Sequence, residues 1–216
     1  MSVRPGVLLR KGAEADLFLI DWHGNRAISK IRTRRIYRHP ILDSELRRQR
    51  TVREAMMLSK AKDAGIRTPY LYFLDMPCNE LIMEYVEGIN LKEVLSPELA
   101  VGIGDYIGKL HLRNIIHGDV TTSNFILGKN FGENDMNLVM IDFGLSFYSQ
   151  RLEDMASDIR MFKEVLSSVH HDIFDLAYRR FIEAYLSSTG TEKGMRILRN
   201  VTEIERRGRY SRGTYS

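Results

Sequence analysis

Ile115-Ile116-His117-Gly118-Asp119-Val120-Thr121-Thr122-Ser123-Asn124, followed eighteen residues after Asn124 by Asp142-Phe143-Gly144 at the end of the apolar run Val139-Met140-Ile141, decides how this chain is read. An aspartate can orient an oxygen nucleophile, and an asparagine with a second aspartate can hold a hard cation close to a triphosphate. Mg²⁺ takes oxygen ligands from one or two carboxylates and from phosphates, so the lack of a His or Cys cluster at metal-ligand spacing fits. Taken singly, Asp-Phe-Gly is a common strand-end turn and His-Gly-Asp an ordinary loop. Their order and separation carry the inference.

The two stretches resemble the catalytic and metal-binding loops of protein kinases, in which an Asp is followed five positions later by an Asn, as Asp119 is by Asn124. The resemblance implies a site for ATP and Mg²⁺, with Asp119 at the catalytic position and Asn124 and Asp142 on the metal. Upstream, Lys30 and Glu54 stand in the order of the strand lysine that contacts the α- and β-phosphates in that family and the helix glutamate that holds this lysine. Glu54 shares a helical face with Leu58 and Ala61, so its carboxylate points inward and wants a cation. The segment Lys11-Gly12-Ala13-Glu14-Ala15 takes the place of the phosphate-covering loop, with small residues that let backbone amides approach oxygens; alone it reads as a hairpin turn. Leu81 to Gly88 resembles a hinge with Met83 as gatekeeper and the backbone of Glu84 and Val86 on adenine; the same residues also suit a buried strand and turn. Asp158 stands where kinases brace the catalytic loop, and it equally suits a helix N-cap. There is no Walker A pattern.

Short apolar runs at Val7-Leu9, Leu17-Ile20 and Ala27-Ile28, separated by Gly12 and His23-Gly24-Asn25, predict consecutive antiparallel strands. A long helix follows, with Asp43 as its N-cap and Gly65 as its stop, and then strands at Tyr70-Asp75 and Leu81-Val86. Ser96-Pro97-Glu98 opens a helix to about Arg113, and further helices are expected at 157–168, 173–187 and 195–206. The expected fold is α+β, a minimal bilobal kinase-like arrangement. Its N-lobe covers 1–88, its helical C-lobe 89–205, and a basic, mobile tail 206–216.

With 216 residues, 44% of them hydrophobic, the chain can bury one core or a core divided between two lobes. No segment approaches the roughly 20 apolar residues that span a bilayer. The single cysteine, Cys78, cannot close an internal disulfide, so a reducing, cytoplasmic setting without a membrane is expected. The net charge of +4 is uneven. Residues 26–53 hold ten Lys or Arg against Asp43 and Glu45, and residues 196–216 hold six arginines against Glu203 and Glu205. Such patches suit a polyanionic partner or a solvated face.

Departures from ordinary kinases narrow the reading. Only 72 residues follow Gly144, without an Ala-Pro-Glu motif; Gly118 replaces the arginine of His-Arg-Asp; and Thr121 stands where serine/threonine kinases place a lysine. The γ-phosphate is then less well compensated, and water becomes a credible acceptor. The chain resembles the PRPK family, the small atypical kinase subunit of the KEOPS complex. The resemblance rests on residues 11–15, Tyr37-Arg38-His39-Pro40 with Leu42-Asp43, Arg50-Thr51 with Glu54-Ala55, the two loops and Arg207-Gly208-Arg209. It implies a serine/threonine kinase acting mainly as an ATPase on the threonylcarbamoyl transferase subunit, with other KEOPS subunits and tRNA nearby, in threonylcarbamoyladenosine modification. A free-standing RIO-like protein kinase and a non-enzymatic RNA-binding scaffold are the competing readings.

Overall fold

A computed structural model describes residues 6–129 and 137–212, with side chains to Arg207. Strands β1 (Gly6–Lys11), β2 (Asp16–Trp22) and β3 (Asn25–Ile31) form an antiparallel meander. The turn between β2 and β3 is made by His23 and Gly24, both at positive φ. After helix α1 (Pro40–Asp63) the chain adds β4 (Leu71–Asp75) and β5 (Glu80–Glu84), giving one five-stranded antiparallel sheet in the order β1-β2-β3-β5-β4.

Helix α1 starts at Pro40, so Asp43 is not its N-cap. Proline at the first helical position has its φ preset and no N–H to satisfy, which moves the start three residues upstream of the expected cap. Asp43 is fully buried in the first turn, where it accepts from Arg47 Nε at 2.8 Å and from the Arg35 amide at 3.2 Å. Glu54, Leu58 and Ala61 form part of the buried face of α1. At the other end Gly65 takes the left-handed conformation, φ 79°, that follows a helix stop.

The chain crosses to the second lobe at 85–87. There β6 (Gly88–Asn90), the short α2 (Leu91–Val94) and α3 (Pro97–Leu112) come first, and the Ser96 side chain caps α3 by accepting from the Leu99 amide. Next are β7 (Ile115–Ile116), β8 (Phe125–Gly128), β9 (Leu138–Met140) and β10 (Phe147–Tyr148). β6, β8 and β9 make a small antiparallel sheet, and β7 pairs with β10. These pairings hold the two decisive loops side by side, one between β7 and β8 and the other between β9 and β10.

Helices α4 (Leu152–Val169), α5 (Phe174–Thr189) and α6 (Thr191–Arg212) complete the fold. α4 begins five residues before the expected Ser157, helped by Glu153 and Asp154 in its first turn, so Asp158 lies inside the helix and is no N-cap. α6 continues to Arg212, making 206–212 helical rather than an irregular tail. The tail's last residues, 213–216, lie outside the described residues, as do the side chains at 208–212. The main core joins Met57, Leu58 and Ala61 of α1 to Ile103, Ile107 and Leu110 of α3 and to Ile159, Phe162 and Phe181 of the C-terminal helices. α1 is therefore packed into both lobes, which fixes Glu54 relative to the loops. Among the described residues no helix is long and apolar enough to cross a membrane.

Candidate active site

Lys30 lies near the end of β3, on the central strand between β2 and β5. Its Nζ donates to Glu54 Oε1 at 2.6 Å and to Asp142 Oδ1 at 3.0 Å, so one ammonium joins the sheet, the helix and the metal-type loop. Glu54 is fully buried, and Arg32 Nη2 holds its second oxygen at 2.7 Å. Arg32 is two residues from Lys30 and thus on the same side of the chain. Charges this deep are tolerated because each has a hydrogen-bonded opposite.

Desolvation pulls the Lys30 pKa down, but the Glu54 and Asp142 carboxylates outweigh it and hold the ammonium above its ordinary value. Glu54 is pushed up by burial, against the pull of Lys30. Asp142 loses solvation in the cleft, yet Lys30 and the Gly144 amide, 2.8 Å from Oδ1, hold its carboxyl below the usual range.

The loop after β7 is built on Asp158 of α4. Its carboxylate accepts from the His117 amide at 2.7 Å, from the Gly118 amide at 2.8 Å and from His111 Nε2 at 3.2 Å. Gly118 has φ 79°, and a Cβ there would come within 2.7 Å of the Leu145 carbonyl oxygen. The arginine of ordinary kinases therefore cannot sit at this position without moving the loop. The His117 ring is buried, and its Nδ1 accepts from the Asp119 amide at 3.2 Å, placing the proton on Nε2, on the side of the Asp142 backbone. Burial pushes this imidazole's pKa down, so it is neutral. Asn124 Nδ2 donates to the Asp119 carbonyl at 2.9 Å and to Asp119 Oδ2 at 2.8 Å.

These residues meet in a cavity of about 240 Å³ between the lobes, lined by Gly12, Ala13, Glu14 and Ala15 above and by Asp119, Asn124 and Asp142 below, with Lys30 at the side. It is smaller than the ~300–1,000 Å³ usual for small-molecule sites and covers the end facing the two loops. A larger cavity, about 620 Å³ between α1 and β10, gathers none of these groups. Gly12 is required by the tight loop, because its amide donates to the Ala15 carbonyl at 3.1 Å and a Cβ would run into that oxygen. Lys11 does not line the cavity; side chains alternate along β1, and Arg10 takes the inward place. Glu84 and Val86 do not line it either, and the Glu84 amide donates to the Tyr70 carbonyl at 2.8 Å. Arg10 and Arg32, both lining residues, were not singled out by sequence. The only available signal was the Lys-x-Arg spacing at the end of β3.

No protein-family model matches the chain. The KEOPS complex subunit Bud32 of Pyrococcus abyssi is 35% identical over 216 residues, an overlap covering 94% of this chain and 96% of that protein. The chain belongs to the Bud32 family. A probable bifunctional tRNA threonylcarbamoyladenosine biosynthesis protein of Methanobrevibacter smithii is 40% identical over 209 residues, but the chain spans only 37% of that relative's length. Among solved structures, the Rio2 kinase of Chaetomium thermophilum in its ADP/Mg²⁺-phosphoaspartate complex superposes with a TM-score of 0.63 at 17% identity, over 94% of this chain and 70% of that one. The fold is thus the minimal kinase-like α+β fold.

Proposed function

We propose that this chain is an Mg²⁺- and ATP-dependent atypical serine/threonine kinase working largely as an ATPase within a KEOPS-type complex, in threonylcarbamoyladenosine modification of tRNA. The observation that carries the reading is Lys30, held by Glu54 and reaching Asp142 at 3.0 Å across the cleft from the Asp119–Asn124 pair.

The residues fit the metal. Asn124 has committed its amide nitrogen to Asp119, leaving its amide oxygen, and Asp142 uses Oδ1 on Lys30 and Gly144, leaving Oδ2. Two hard oxygen donors, one of them a carboxylate, are what Mg²⁺ asks of a protein when phosphates and water complete its shell. Bound there, the ion supplies neutralisation of the triphosphate charge. Lys30 then steadies the α- and β-phosphates, and the loop at Ala13 and Glu14, held tight by the Gly12 amide on the Ala15 carbonyl, covers them. Asp119, oriented by Asn124, has one oxygen left to position the acceptor and take its proton.

The acceptor is where this site departs from an ordinary kinase. Thr121 provides no cation beside Asp119, and the segment after Gly144 passes through β10 directly into α4, without a platform for a peptide. Water, or a group presented by a partner subunit, suits this better. A partner is also supported by Ile36, Tyr37, Ile41 and Leu42, whose exposures of 97%, 78%, 73% and 54% put an apolar patch beside the start of α1.

ATP hydrolysis measured with and without a threonylcarbamoyl transferase subunit and tRNA tests the reading. Weak turnover alone, a rise with the partner and its loss in Asp142→Ala are expected. Turnover that survives Asp142→Ala refutes it, and strong phosphorylation of a protein without any partner favours a free-standing RIO-like kinase instead.

A further inference from the structure

Behind the phosphate-covering loop lies a second, smaller cavity of about 170 Å³ with Arg32, Arg35, Arg38, Arg47 and Arg50 in its wall. Ala13, Glu14 and Arg32 line both this cavity and the cleft, so they form a partition between them. Three carboxylates serve the five guanidiniums. Glu14 pairs with Arg32 at 3.4 Å and with Arg50, Asp43 pairs with Arg47 at 2.8 Å and lies 4.0 Å from Arg38, and Glu54 is shared between Arg32 and Lys30. Even with Glu54 counted wholly here, two positive charges remain uncompensated.

Two donors in the cluster lack any acceptor: Arg32 Nε and Arg35 Nη2, both shielded from solvent. The Arg32 side chain is only 3% exposed, so water does not serve it. Buried donors of this kind are expensive to leave unpaired, and guanidiniums arranged in a concave wall are suited to several oxygens of one tetrahedral anion. The residue now closest to that role is Glu14, a carboxylate at the mouth, 45% exposed and bridging two arginines. Solvent screens its pairing, so its exchange for a stronger anion costs little.

We infer that this arginine cavity is a binding site for a phosphate dianion, separate from the nucleotide cleft, and that Glu14 occupies it as an internal anion until phosphate displaces it. The space is small, about 170 Å³, which suits inorganic phosphate and not a strand of nucleic acid. Because Glu14 belongs to the loop over the cleft, phosphate binding frees that loop from Arg32 and Arg50. If the cleft hydrolyses ATP, as proposed above, the released phosphate has this site next to its point of origin. The site itself does not depend on that reading.

The test is calorimetric titration of inorganic phosphate into the full chain without nucleotide. The wild type binds phosphate, and Glu14→Gln, which removes the competing carboxylate, binds at least about tenfold tighter. Arg35→Gln with Arg38→Gln loses at least about tenfold while nucleotide affinity, titrated separately, is retained; should that pair not fold, the single Arg38→Gln is used, with the same direction expected. No phosphate binding, equal binding in wild type and Glu14→Gln, or binding indifferent to Arg35 and Arg38 overturns the inference. A short RNA carrying only internal phosphodiesters is the second arm. It should not displace phosphate; if it does, the cluster reads a nucleic-acid backbone and the inference fails. Loss of ATP turnover in Asp142→Ala leaves every one of these results unchanged, so the two readings fail separately.

Discussion

Replacing Asp158 with Asn keeps the shape of the side chain and removes one acceptor from a place where three donors converge. In the wild type Oδ2 serves the His117 amide and His111 Nε2, and Oδ1 serves the Gly118 amide. An asparagine oriented to keep its oxygen on the two-donor side turns its NH2 toward the Gly118 N–H, so donor meets donor beside a buried side chain. One hydrogen bond to a charged group is lost, worth ~1.5–3 kcal/mol, and a buried amide is stranded at ~1–3 kcal/mol, two overlapping costs that together come to about 3 kcal/mol. For a chain of this size that is a fall in Tm of about 6–12 °C. Thermal unfolding followed by circular dichroism, at constant protein concentration and without ligand, measures it. Because the stranded amide is in the loop that carries Asp119, turnover should fall more steeply than stability at a temperature where the variant is fully folded. A Tm within about 1 °C of wild type would refute the reasoning, since a loop that does not need its acceptors is not braced by them.

Glu54→Ala leaves Lys30 and Arg32 buried without their shared carboxylate and should cost ~3–5 kcal/mol in urea unfolding; a loss under about 1 kcal/mol contradicts the burial of the triad. Gly118→Arg, which restores the ordinary His-Arg-Asp triplet, should lower stability by at least ~1–2 kcal/mol, because a side chain must enter the left-handed region and meet Leu145; an unchanged melt disproves that constraint. His117, neutral and buried, has its pKa depressed in the folded state, so the folded chain binds fewer protons than the unfolded one. Its contribution is therefore whole above the ordinary value of 6.5 and is lost as pH falls below it, with a slope of at most ~1.4 kcal/mol per pH unit. His117→Asn should flatten the fall in unfolding free energy on acidification, and an identical slope in both proteins rules this histidine out as the source.

Although the short β6, α2, β7, β8 and β10 carry too few residues for a local signal, the order of the first-lobe strands and of the long helices was legible because each carries one, as with Ser96-Pro97 opening α3 or His23-Gly24 turning β2 into β3. So was the inward direction of Glu54, since a helical face with Leu58 and Ala61 has only one side to bury. What was not legible depended on distant parts of the chain. Residues 26–53 contain ten cations, and apart from its Lys-x-Arg spacing nothing local tells Arg32, 3% exposed, from its solvated neighbours. Its burial follows from β3 meeting α1, a contact between residues 22 apart. Asp43 looked like a cap because caps are read from the residue type and the helix that follows; Pro40 competes for the same start and wins on backbone grounds. The misplaced start of α4 is what left an N-cap open for Asp158 beside the bracing role that the resemblance implied; its interior position, facing the loop after β7, removes the N-cap.

Arg32 also changes how the lysine pair should be understood. In a site held only by Lys30 and Glu54, losing the contact to Asp142 would leave one buried ion pair to keep the helix and the sheet in register. Here Glu54 has a cation on each oxygen, at 2.6 and 2.7 Å, and Arg32 in turn reaches Glu14 in the loop above the cleft. The position of α1 is therefore set within the fold, without a phosphorylated activation segment to set it, and α1 is further anchored by a core shared with the second lobe. A site assembled this way is ready before substrate arrives, and the element left adjustable is the loop at Glu14. Control then falls to whatever competes with Glu14 for the arginines, because Glu14 is the 45%-exposed carboxylate that joins this network to the loop.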